Sequence, residues 1–200
     1  MIYVISGPSG CGKSTLIRRV LAEVEDVRFS VSHTTRKKRD AEVEGGDYYF
    51  VSRDSFRRMI QKDRFVEWAL VHAEYYGTSG KELARGRGKD IVLDIDVQGA
   101  RQIRRKVPSA VFIFVLPPSY GELRKRIKGR GLDRAEAVRK RMATAKNEIK
   151  AYSSFDYILV NDDLDRTAAE LGAILRCRRA LLSVRERAIQ PILKSFRGEG

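Results

Sequence analysis

The 200-residue chain carries 40 Lys and Arg against 26 Asp and Glu, for a formal net charge of +14, and 42% of its residues are hydrophobic. That length suits one well-packed domain better than two independent ones, and no run approaches the roughly eighteen apolar residues of a membrane span. The two cysteines, Cys11 and Cys177, fit no metal-ligand spacing and read as free thiols, which argues against a disulfide framework and against a zinc site.

The first predicted element is an apolar strand over 2–6, with too little chain ahead of it for a signal or transit peptide, so the cytoplasm is the expected compartment. Directly after it stands Gly7-Pro8-Ser9-Gly10-Cys11-Gly12-Lys13-Ser14-Thr15, and a helix with apolar Leu16, Ile17, Val20 and Leu21 is predicted over 14–24. A G-x-x-x-x-G-K-[ST] pattern between strand and helix is a phosphate cradle. Its glycines let several N–H groups point at one anion, and the helix start adds the positive end of its dipole. Lys13 can reach the outer phosphates, and the Ser14 hydroxyl can ligate Mg²⁺. The expectation is a bound nucleoside triphosphate with magnesium.

Further strands are predicted at 28–32, 48–51, 65–70, 90–95, 110–116 and 157–160, and helices at 52–63, 98–107, 119–129, 133–152 and about 164–189, the last ended or kinked near Pro191. Alternating strand and helix argues for an α/β fold with a parallel core sheet flanked by helices. Runs without polar alternates, such as Ile91-Val92-Leu93, belong to strands buried on both faces. Two stretches interrupt the alternation. Over about 32–80, short half-polar strands with turn residues at Gly45-Gly46-Asp47 and Tyr76-Gly77 suggest a small antiparallel insert, and Gly129-Arg130-Gly131 is a glycine hinge between two basic helices. Both belong at the carboxyl edge of the sheet, where open α/β folds bind ligands.

The insert carries chemistry for a second anion: Ser32-His33-Thr34-Thr35-Arg36, then Arg39, Tyr48 and Tyr75-Tyr76-Gly77-Thr78. Guanidinium forks make paired hydrogen bonds to phosphate, which lysine cannot. Glu67 lies in an otherwise apolar strand and needs donors there. Guanine offers N1–H and its 2-amino group side by side to two carboxylate oxygens, whereas adenine presents an acceptor at N1. The charge of +14 also invites a nucleic-acid reading. An enzyme holding the phosphates of two nucleotides needs the same excess, so no specific nucleic-acid partner is expected.

In this order the motifs G-P-S-G-x-G-K-S-T, S-x-T-T-R-x-x-R, D-Y-x-F, E-W-A, Y-Y-G-[ST], D-I-D-x-Q-G, G-R-G and V-N-D-D, spread over 2–182, resemble those of bacterial guanylate kinases. The resemblance implies a P-loop NTPase fold in a single domain, with a core at 1–31, 81–119 and 153–200, a small β-rich GMP-binding insert at 32–80 and a helical lid at about 120–152. It implies transfer of the γ-phosphoryl group of ATP to GMP, and to dGMP, for guanine nucleotide synthesis and recycling. Gly7 to Thr15 would hold the ATP phosphates, with Asn161 near the adenine. Arg36, Arg39, Tyr48 and Tyr76 would hold the GMP phosphate, with Ser32, Glu67, Thr78 and Asp96 around the guanine. Asp94, beside the GMP, would organise Mg²⁺ with Ser14, while Arg126, Arg130 and Arg141 would join Lys13 over the transferring group. Lys38 and Ala41 stand where many members have Pro and Gly, which leaves both insert arginines in place. Two other readings fit the same architecture. A partner-binding module like the guanylate-kinase-like domains of membrane-associated scaffolds would lack an intact phosphate loop, and a kinase acting on a ribosyl phosphate would not require Glu67, Thr78 and Asp96 together. The segment Arg185 to Phe196 reads as a solvated helix or a contact in a homo-oligomer.

Overall fold

The computed structural model describes residues 1–85, 88–129 and 135–196. Five strands form one parallel sheet in the order β2 (Val27–Phe29), β7 (Asp90–Asp94), β1 (Ile2–Ser6), β8 (Val111–Leu116), β9 (Tyr157–Val160). Successive side chains of each strand enter opposite faces. Tyr3, Ile5, Val111, Ile113 and Val115 pack with Leu16, Ile17 and Val20 of α1 (Lys13–Glu23) and Leu171 and Leu175 of α7 (Leu164–Arg178). Val4, Ile91, Leu93 and Phe112 pack on the other face with Ala100 and Ile103 of α4 (Val97–Lys106). The middle positions of the central strands are therefore apolar because helices cover both sides. Parallel pairing also gathers the carboxyl ends of β1, β7, β8 and β9 at one edge, with Ile5 beside Asp94, Ser6 beside Phe114 and Leu116 beside Val160.

A second sheet runs β4 (Tyr48–Phe50), β3 (Ser32–Thr34), β6 (Glu74–Ser79), β5 (Phe65–Val71). It is not wholly antiparallel as expected, since β3 and β4 run parallel, joined by a long connection instead of a hairpin. Phe56 of α2 (Arg53–Gln61) is fully buried against it, stacked on Phe65 and Tyr75. The predicted strand at 28–32 divides between the sheets: β2 ends at Phe29, and the chain re-enters as β3 at Ser32. Tyr75 to Thr78, expected partly as a turn, is strand. The short helix α3 (Gly80–Arg85) returns the chain to β7.

Two further helices, α5 (Tyr120–Lys128) and α6 (Ala135–Ile149), pack through Leu123, Ile127, Val138, Met142 and Ala145. Gly129 caps α5, while Arg130 and Gly131 of the expected hinge lie outside the described residues. The single helix expected over 164–189 is two, α7 and α8 (Leu182–Ser195). Arg179 pins the end of the first by donating to Asp90 at 2.6 Å and to the Glu25 carbonyl at 2.7 Å. Pro191 sits inside α8 instead of ending it, and Leu182, Ile192, Leu193 and Phe196 are exposed there. No described helix is long and apolar enough to cross a membrane.

Candidate active site

The loop from Gly7 to Gly12 joins β1 to α1, and its conformation depends on missing side chains. Gly7 and Gly12 have φ of 147° and 98°, and a Cβ on them would lie 2.2 Å from the Val115 carbonyl oxygen and 2.3 Å from Asn161 Nδ2. Neither position admits an alanine without displacing the strand or side chain behind it. Helices α2, α4, α5 and α7 are capped by the side chains of Ser52, Asp96, Ser119 and Asp163, each accepting from a first-turn N–H. Helix α1 instead begins at Gly12 without a side-chain cap, which leaves its N–H groups to an outside anion.

Other elements brace this loop from behind. The buried Asn161, at the end of β9, donates to the Cys11 carbonyl at 2.8 Å, and Arg126 of α5 donates to the same oxygen at 3.2 Å. Arg126 is itself held by Glu122 at 3.0 Å. Asn161 thus braces the loop from behind. Arg141 of α6 donates to Ser9 Oγ at 3.1 Å. Glu148, two turns along the same helix face, accepts the Ser9 N–H at 3.3 Å. Sequence reading missed Glu148, although its spacing of seven from Arg141 was visible. Burial pushes its carboxyl up in pKa, with Lys13 and the Ser9 N–H pulling the other way. Lys13 Nζ donates to the Gly7 carbonyl at 2.7 Å, and Ser14 Oγ donates to Asp94 Oδ2 at 3.2 Å. Cys11 is buried and Cys177 exposed, neither in a disulfide. Thr15 is exposed.

In the second sheet, strand register gathers the expected residues onto one face. Ser32 pairs with Tyr48, Thr34 with Tyr76, and Glu67 with Thr78. Arg36 rests against Tyr48 with its guanidinium carbon 5.4 Å from the ring centroid, and Tyr48 meets Tyr76 edge-on at 5.9 Å. Burial and then the charge of Asp94 push the Tyr48 phenol up in pKa. Arg36 forks onto Glu42 at 2.7 and 3.0 Å, and Glu42 also accepts the Arg39 N–H at 2.9 Å. Burial alone would lift the Glu42 carboxyl, but these donors hold it below the usual range. Glu42 was another omission from the sequence reading; an acid six residues after Arg36, just past the basic run 36–39, was its signal. The Arg39 residue is exposed.

Glu67 is 3% exposed, and its Oε1 has no hydrogen-bond partner; neither does the buried Thr78 Oγ1. Asp96 caps α4 with one oxygen and accepts from Gln98 Nε2 at 3.0 Å with the other. Burial foremost, then Asp96, pushes the Glu67 carboxyl from 4.5 up to about 7, against the influence of Thr78 and Lys106. The folded protein therefore holds a proton that the unfolded chain releases between these values. Stability should fall as pH rises from 4.5 to about 7, by at most about 3 kcal/mol from this group. A Glu67→Gln variant is expected to melt with wild type at pH 5 and above it at pH 8; identical melting at both would show that Glu67 is not strained by burial.

A buried carboxyl with one oxygen left without a partner on the second sheet, arginines in the turn that follows β3, and a glycine loop ahead of an uncapped helix on the first sheet are the two sets of groups a pair of nucleotides would need. Across residues 1–178 the chain matches the family model described as guanylate kinase. The chain belongs to the guanylate kinase family. It is 46% identical over 194 residues to a guanylate kinase of Geobacter metallireducens, covering 94% of this chain and 96% of that one. It is 47% identical over 186 residues to that of Escherichia coli K12, covering 91% and 90%. A crystal structure of guanylate kinase from Anaplasma phagocytophilum superposes with a TM-score of 0.76 at 35% identity, covering 90% of this chain and 87% of that one. The five-stranded parallel sheet with the glycine loop after β1 is the P-loop NTPase α/β fold.

Proposed function

We propose that this protein transfers the γ-phosphoryl group of ATP to GMP, giving ADP and GDP, and that it accepts dGMP as well. The observation that carries the base assignment is the buried Glu67 carboxyl, whose Oε1 has no hydrogen-bond partner of good geometry and whose pKa burial raises in spite of the neighbouring Thr78. An unpaired buried carboxylate is costly, and guanine's adjacent N1–H and amino donors would satisfy it. Ser32 and Asp96 complete the base seat, and Arg36, Arg39, Tyr48 and Tyr76 take the GMP phosphate.

Gly7 to Thr15 take the ATP phosphates, with Lys13 over the outer ones. Asn161 serves that half by holding the loop, in addition to any contact with adenine. Ser14 and Asp94 suit Mg²⁺: a hydroxyl and a carboxylate within hydrogen-bond distance are the hard oxygen donors it prefers, with substrate phosphates and water completing the shell. When bound, the ion supplies charge neutralisation on those phosphates. The acceptor phosphate is already anionic, so no residue need remove a proton from it. The chain's task is to bring two polyanions together and offset their repulsion, using Lys13, Arg126 and Arg141, joined by Arg130 beyond the described residues. We take 1–31, 81–119 and 153–200 as the core against which the insert at 32–80 and the lid at about 120–152 close, excluding water from the transfer.

ADP release across a panel of nucleoside monophosphates, with and without magnesium, tests this reading. GMP should support turnover only with magnesium, and AMP should react at least about 10³-fold more slowly, because a site built for hydrogen bonds rejects a base that leaves them unmade. Comparable rates with the two would overturn the base assignment.

A further inference from the structure

Gly99 occupies the first turn of α4, yet it is absent from the described glycines of positive φ. Its backbone suits any residue, and alanine outranks glycine in helices. Space explains it better. A Cβ on Gly99 would lie 2.4 Å from Glu67 Oε2 and 3.1 Å from the carboxyl carbon, so the Glu67 carboxylate occupies the volume a side chain would need. One turn along the same helix face, Gln102 accepts the Trp68 N–H at 3.2 Å and donates to the Trp68 carbonyl at 2.7 Å. Its amide thus acts as one more strand residue along β5, next to Glu67.

We propose that Gly99 and Gln102 are positioning residues for base selection: the core helix α4 sets where Glu67 stands in the insert, the first by leaving room and the second by fixing the backbone beside it. The inference rests on the reading of Glu67 as the guanine ligand. It also links the halves of the site, because α4 follows directly on β7, which ends at Asp94. Any shift of α4 then moves the base seat together with the carboxylate that faces Ser14.

Kinetics with GMP and ATP varied separately test this. Gly99→Ala should raise the KM for GMP about tenfold or more and leave the KM for ATP within about twofold, with little change in melting temperature because the helix-propensity gain of about 1 kcal/mol offsets part of the crowding against Glu67. A merely structural role would lower melting and disturb both substrates. Glu67→Asp retracts the carboxylate by one methylene, so the Gly99→Ala, Glu67→Asp double variant should match Glu67→Asp alone in kcat/KM for GMP within about threefold. Losses that multiply would overturn the proposal, as would an unchanged KM for GMP in Gly99→Ala. Gln102→Leu should likewise raise the KM for GMP and not that for ATP. Wild type that fails to prefer GMP over AMP would refute the Glu67 reading itself, and this inference with it; wild type that prefers GMP while the variants keep its KM would refute only the inference.

Discussion

Lys13→Ala is expected to reduce turnover by about 10³-fold while the protein stays folded. Without nucleotide the ammonium sits on the Gly7 carbonyl at 2.7 Å, with the Pro8 carbonyl at 3.4 Å, so it is parked at the loop it serves. Losing those bonds frees two carbonyls for water, at a cost of about 1 kcal/mol or less. Losing the charge where a phosphoryl group moves costs far more, since no other side chain of the loop carries one. The same charge opposes the burial-driven rise in pKa of both Asp94 and Glu148. Without it both carboxyls should take up protons more readily, leaving Asp94 a poorer metal ligand. Lys13→Arg should not rescue, because a planar fork is not a compact three-donor cation. ADP release with GMP, with melting as the control for folding, measures the effect. A Lys13→Ala variant with near-normal turnover would mean that the loop has been misassigned.

The phosphate loop was legible because its requirements are local: glycines at fixed spacing, a strand before, a helix after. The central strands were legible because burial on both faces removes polar alternates, as in β8. The turn between β5 and β6 was not. Val71 pairs with Glu74, so His72 and Ala73 alone make the hairpin, both with positive φ, 50° and 68°. Such turns normally announce themselves with Asn or Gly, and without that signal the sequence points to Tyr76-Gly77 as the turn. The break between α7 and α8 was hidden for a related reason. Nothing in Arg179-Ala180-Leu181 forbids a helix, and the stop comes from the tie of Arg179 to Asp90, 89 residues away in sequence.

Within the site, residue types were legible and partners were not. Sequence marked Arg36 as a phosphate clamp but not the Glu42 that holds its guanidinium, and Arg141 as a lid arginine but not the Glu148 beside it. Both acids engage groups assigned to phosphate: the Arg36 fork and the Ser9 N–H. A carboxylate in such a place keeps donors ordered when no nucleotide is bound, and it must be displaced or shared when one arrives. Such pairings arise from the folded geometry of separate segments or helix faces, which no short motif encodes.

Glu67→Gln should separate function from stability more sharply than any other single change. A carboxylate offers acceptors to both donors of guanine, whereas a glutamine amide offers one acceptor and one donor, so one guanine N–H would face another N–H. The expected fall in kcat/KM for GMP is about 10³-fold, or about 4 kcal/mol of transition-state stabilisation. The same amide complements adenine, which presents a donor at its 6-amino group beside an acceptor at N1, so the ratio of AMP to GMP turnover should rise. Meanwhile the fold should lose little, because burial outweighs the Thr78 hydrogen bonds and pushes the carboxyl that is removed up to about 7. At pH 8 the variant should therefore be more stable and less active than wild type. Opposite signs are what a residue kept for its ligand predicts, since a residue kept for packing would lose both together. Loss of stability and activity in parallel would return Glu67 to the core and leave guanine without its reader.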